Sequence, residues 1–173
     1  MSSLKLNHVL GMGSLAMLLA GCVTTQNAMV LDRVGPDPSS PINTSSNVGN
    51  LIVYSAYDAN ADFDRRDNFR PEYSDYKVLT AASELQQRVH NNSGTILQRP
   101  KLVALPPGDY RVVAQANGYG VVTVPVTIVA GKDTILHLEG GTVWPNQPQF
   151  NETNAVRLPD GNVVGWKNTM AMK

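Results

Sequence analysis

A single cysteine, Cys22, is the whole thiol complement of this 173-residue chain. One thiol forms neither a disulfide nor a thiolate metal cluster within one chain, so packing and hydrogen bonds have to hold the fold. Aromatic residues are scarce at 6%, and charged residues make up 16%. The 14 basic and 14 acidic side chains cancel. A neutral chain with no basic block has no electrostatic footprint for nucleic acid. Long apolar runs are missing too. The longest, Val9 to Ala20, has 12 residues and is interrupted by Gly11, Gly13 and Ser14, whereas a membrane-spanning helix needs roughly 20.

That apolar run lies between a short polar start carrying Lys5 and the small residues Ala20-Gly21 before Cys22. A charged beginning, an apolar middle and a small-residue cleavage site describe a secretory signal, expected over residues 1–21. The stretch Leu19-Ala20-Gly21-Cys22 resembles the lipobox of bacterial lipoproteins. The resemblance implies cleavage between Gly21 and Cys22 and a diacylglyceryl thioether on Cys22, with further acylation of the new N-terminus. Two or three acyl chains anchor a protein stably where one does not. Val23 stands where an aspartate would favour inner-membrane retention, so the resemblance implies the outer membrane of a two-membrane cell. Membrane lipid is therefore the expected partner of Cys22.

Removing residues 1–21 leaves 152 residues with 13 basic and 14 acidic side chains. Gly35 to Asn50 (GPDPSSPINTSSNVGN) is built almost wholly from small and polar residues. Such a composition buries too little apolar surface to offset chain entropy, and predicts a flexible tether over 22–50 with a reach of about 30 Å. Met29-Val30-Leu31 is the one apolar group in it that is able to dock.

From Leu51 short β-type runs alternate with turn residues: 51–57, 76–80, 85–89, 101–105, 110–117, 121–129 and 134–139. About seven strands predict an all-β antiparallel sandwich over 51–140. Ala81 to His90 has a rival reading as a short helix. Tyr110, Val112, Ala114 and Ala116 fall on one strand face. Val122, Val124, Val126 and Ile128 fall on one face of the next strand. Leu136 and Leu138 point inward, with Ile135, His137 and Glu139 outward. Pro125 lacks an N–H, which places its strand at a sheet edge or a bulge. The run LPPGDYRVVA (105–114), then Gly118-Tyr119, VTVPVTIVAG (122–131) and ILHLE (135–139) resembles the carboxypeptidase regulatory-like and PEGA-type domains. That implies a small sandwich of prealbumin-like (transthyretin-like) topology. Leu105, Gly108 and Tyr110 resemble a tyrosine corner, in which the phenol bonds to nearby backbone.

Two regions lie outside this pattern. Asp58, Asn60, Asp62 and Asp64 alternate as in a calcium loop, but Phe63 and Phe69 occupy the positions of its glycine and bidentate glutamate, so no metal is expected. Residues 141–173 read as a tail carrying a hairpin arm, Val156 to Trp166, turned by Pro159-Asp160-Gly161-Asn162. Tyr119, Trp144 and Trp166 are candidate ligand contacts, although a plug that docks the tail on the sandwich is the favoured reading of the tail aromatics. His90 and His137 are the histidines beyond the signal, and no nucleophile elbow, zinc-protease motif or phosphate-cradling loop accompanies them. The sequence therefore predicts a lipid-anchored envelope protein with no catalytic residues and no cofactor. Its expected role is binding or assembly. The alternatives are carbohydrate or peptidoglycan binding through exposed aromatics, and a structural spacer in an envelope complex.

Overall fold

The computed structural model describes residues 28–58, 72–91, 99–140 and 151–168. All regular elements among them are strands, and no helix there is long and apolar enough to cross a membrane. In chain order the strands are β1 (Met29–Val30), β2 (Gly49–Tyr54), β3 (Tyr57–Asp58), β4 (Glu72–Tyr73), β5 (Tyr76–Thr80) and β6 (Leu85–Val89). They continue with β7 (Leu102–Leu105), β8 (Gly108–Ala116), β9 (Gly120–Ile128), β10 (Asp133–His137), β11 (Ala155–Arg157) and β12 (Val163–Trp166). The rival helix over 81–90 does not form: 81–84 is a turn and β6 follows it.

Two sheets share one core. The larger has the order β1-β9-β8-β5-β6 and the smaller β10-β2-β7. Alternation does the packing: Val112, Ala114, Ala116, Val122, Val124, Val126 and Ile128 from the larger sheet meet Leu51, Val53, Val103, Leu105 and Leu136 from the smaller. The Tyr110 corner forms, its hydroxyl donating to the Pro106 carbonyl at 3.1 Å. The sheets are not purely antiparallel. β10 runs parallel to β2, and β1 parallel to β9, because the chain crosses between sheets at Val129–Lys132 and enters from outside at its N-terminal end.

The segment expected to be a tether departs most from its composition. From residue 28 onward it lies on the domain, and Val34 is completely buried. Main-chain bonds hold it. Leu31 N–H donates to the Thr123 carbonyl, Val34 N–H to that of Pro125 and Asn43 N–H to that of Gly131, while Thr127 N–H donates back to Val34. Composition misleads here because the backbone, which every residue carries, does the binding. Pro125 fits this edge. Thr127 N–H points at Val34, so the nitrogen two residues earlier faces the same way, and the pairing skips Asp32 and Arg33 where proline has no donor.

The C-terminal hairpin β11–β12 also joins the body. Val156, Leu158 and Val164 belong to the core, and Lys167 bridges to Val34. The hairpin is thus a separate two-stranded ribbon packed into the same core as the two sheets.

Candidate functional site

The residues with the most chemistry gather at one end of the smaller sheet. β2 alternates, placing Leu51, Val53 and Ser55 inside and Ile52 and Tyr54 outside. β10 lies beside it with His137 opposite Tyr54, so imidazole and phenol share a face. The rings stack with centroids 4.2 Å apart and planes 9° from parallel. Two residues on, Glu139 is on the same face, and its Oε1 accepts a hydrogen bond from His137 Nδ1 at 2.6 Å.

The chain bends at Ser55-Ala56 into β3. Ser55 donates to the Ser74 carbonyl, Ala56 N–H to that of Gln115, and Tyr57 N–H to the Asn117 side-chain oxygen. These bonds set the β3–β4 ribbon against Tyr54. Tyr73 meets Tyr54 edge-on, at 5.7 Å and 82°, and Tyr57 meets Tyr73 at 5.0 Å and 53°. The result is a row of three half-buried phenols leading to a buried imidazole and a carboxylate.

Burial pushes the Tyr73 phenol up to about 12, with the Glu139 charge as the next cause. Burial likewise raises Tyr54, followed by Glu139, with Arg99 opposing. The Tyr54 and Tyr73 phenols are therefore neutral donors at ordinary pH. Only 2% of the His137 side chain is exposed, so the imidazole is a support for Tyr54 rather than a group offered to solvent. Rings tilted at 53° and 82° make corners, not the flat platform on which a sugar ring stacks. Such corners, with a carboxylate at one end, suit an inserted side chain, a cationic one above all.

Neither Tyr119 nor Trp166, the expected ligand contacts among the described residues, belongs to this row. His137 is on the outer strand face, as alternation predicts, but it is covered rather than exposed. Trp166 is 5% exposed on β12, which removes it as a stacking surface. Tyr119 packs against the core, and its hydroxyl accepts the Asp160 N–H at 3.0 Å, pinning the hairpin turn. The two lie at opposite ends of the hairpin and form no cluster. Trp144, Gly21 and Cys22 lie outside the described residues, as does the calcium-like segment beyond Asp58. Asn91 is fully buried, giving its amide to Val53 O and Ser55 Oγ and accepting Lys101 N–H. Sequence reading missed Tyr54, Tyr57 and Tyr73. Their one signal was half the chain's six tyrosines falling within twenty residues of each other. Comparison with models of known protein families, with curated proteins and with solved structures returned no match to this chain.

Proposed function

We propose that this chain is a bacterial lipoprotein, anchored to the outer membrane of a two-membrane cell through acylated Cys22. Its sandwich, akin to the carboxypeptidase regulatory-like and PEGA-type domains, acts there as a non-catalytic binding and assembly module. The lipobox-like Leu19-Ala20-Gly21-Cys22 supports the anchor. The two-sheet core with its Tyr110 corner supports the kinship. The observation that carries the binding role is the tilted row Tyr57-Tyr73-Tyr54 ending at Glu139, whose corners suit a protein side chain better than a sugar face.

The anchor and the binding role are tested separately. Labelled palmitate is expected on the wild-type chain and not on Cys22→Ser; label on the variant would refute the anchor. For binding, the full-length chain is used to capture partners from detergent-solubilised envelopes. A stoichiometric protein lost with Tyr73→Ala is the expected result. Polysaccharide retained by wild type and lost with the same change would replace the assembly role by glycan binding. Capture that Tyr73→Ala leaves unaltered would overturn the role given to this row.

A further inference from the structure

Residue 28 is already part of the domain, so the position of β1 limits how the sandwich lies on a membrane. Met29 is seven residues beyond Cys22, a span of about 25 Å at full extension. Met29 pairs with Val122 near the start of β9, beside the Asn117–Tyr119 turn. The end of the sandwich bearing that turn is therefore the end next to the anchor.

One row of paired residues crosses the larger sheet near this end: Val30, Thr123, Val113, Lys77 and Arg88, one from each of the five strands. The row spans roughly 19 Å at the usual strand spacing. All five face away from the core. At one side Val30 is 68% exposed, and Val121, on the same face of β9, is 44% exposed. At the other, Lys77 and Arg88 stand directly opposite each other on β5 and β6. Like charges so placed repel, and neither is in an ion pair among the described residues. Between them and Val121 lies a hollow of about 240 Å³. Its one acid, Asp75, is engaged by His90 and the Asn91 N–H.

We propose that this face of the larger sheet docks on the lipid surface: Val30 and Val121 meet the apolar boundary, and Lys77 and Arg88 take a lipid phosphate in the hollow. The proposal rests on the Cys22 anchor. It goes further by fixing which face turns to the bilayer, and it gives the unpaired cations an anion. The three-tyrosine row, at the same end but on the other sheet, is left open to a partner.

The test uses the lipidated full-length chain in vesicles of phosphatidylethanolamine and phosphatidylglycerol with nitroxide-labelled headgroups. A fluorophore is placed by Gln115→Cys, beside Val121, or by Ala104→Cys, on the outer face of the smaller sheet. Strong quenching at 115 and little at 104 is expected, with the contrast lost in a Lys77→Gln/Arg88→Gln variant. Equal quenching, or more at 104, overturns the orientation. A contrast that survives the double variant overturns the phosphate contact. The mass of the Cys22 adduct is read on the same samples. An unlipidated chain refutes the anchor and this proposal together, whereas a lipidated chain without the contrast refutes this proposal alone.

Discussion

A Cβ at Gly165 would stand 2.7 Å from Cγ1 of Val34 and 3.0 Å from the Ile135 carbonyl oxygen. Three distant parts of the chain meet there: the N-terminal segment, the last strand of the smaller sheet and the C-terminal hairpin. Val34 also bridges to Val126 and Lys167. One side of the core is thus closed jointly by the segment around Val34 and the C-terminal hairpin.

Gly165→Ala should test that closure. The added methyl has backbone on one side and a fully buried side chain on the other, so the site has little room to relax. Overpacking of this kind costs about 1–3 kcal/mol. Urea unfolding should show a lower midpoint with an unchanged slope. Val34→Ala is destabilising alone through its cavity, yet combined with Gly165→Ala it should cost less than the two singles added, because it removes one clashing partner. Strict additivity would mean that the two do not meet as described.

Asn91 ties the inner ends of two sheet connections together. Its amide donates to Val53 O and Ser55 Oγ at 2.8 and 2.9 Å, and its oxygen accepts Lys101 N–H at 2.9 Å. Asn91→Leu keeps the branched shape and the number of side-chain heavy atoms but leaves the Val53 carbonyl and the Lys101 N–H without those bonds. A stranded buried group costs about 1–3 kcal/mol, so a loss of about 3 kcal/mol is expected in chemical denaturation. Lys101→Ala, which keeps the N–H, should cost little.

The strand faces were legible in the sequence because alternation is a local property. Val112, Ala114 and Ala116, and Val122, Val124, Val126 and Ile128, are buried where the pattern places them. What covers the opposite face is not local. His137 and Ile135 are correctly read as outward, yet only 2% and 8% exposed. Tyr54 stacks on the former, and Gly165 reaches the carbonyl of the latter. The same distinction explains residues 28–50, whose polar side chains predicted a free chain while main-chain bonds to β9 and the 129–132 turn held it down. The tyrosine row was hidden for a related reason. Tyr54 and Tyr73 are brought together by the β3–β4 pairing, which spans a loop and leaves no periodic trace.

Stability should fall at alkaline pH, by way of the tyrosine row. The Tyr73 phenol is held at about 12 in the fold, against 10 when free. Its folded value is raised, so the folded state keeps a proton that the unfolded state loses between those values. The resulting stabilisation is complete below pH 10 and is lost as pH rises from 10 towards 12. Tyr54 and the buried Tyr76 shift in the same direction, both led by burial. Unfolding midpoints across this range should drop in the wild type and drop less in Tyr73→Phe. Glu139→Gln keeps an acceptor for His137 but removes the charge, so the Tyr73 phenolate absorbance should appear at lower pH, still above 10 because burial is the larger cause. A titration unchanged by Glu139→Gln would break the link between the carboxylate and the row.

Truncation separates a hairpin that closes the sandwich from one that projects as an arm. A chain ending at Gly141 loses Val156, Leu158 and Val164 from the core, and Val34 loses the Lys167 bridge that holds the N-terminal segment on that side. Burying each such aliphatic side chain contributes about 1.5–3 kcal/mol. Removing three is comparable to the whole stability of an ordinary domain, about 5–15 kcal/mol. The truncated chain should therefore lose its cooperative unfolding transition and expose β1 and Val34 to proteolysis. An independent arm would instead come away leaving the transition of residues 28–140 in place. Single replacements grade the effect: Val164→Ala should lower the midpoint of the whole chain in one transition, because the hairpin and the sheets share one core.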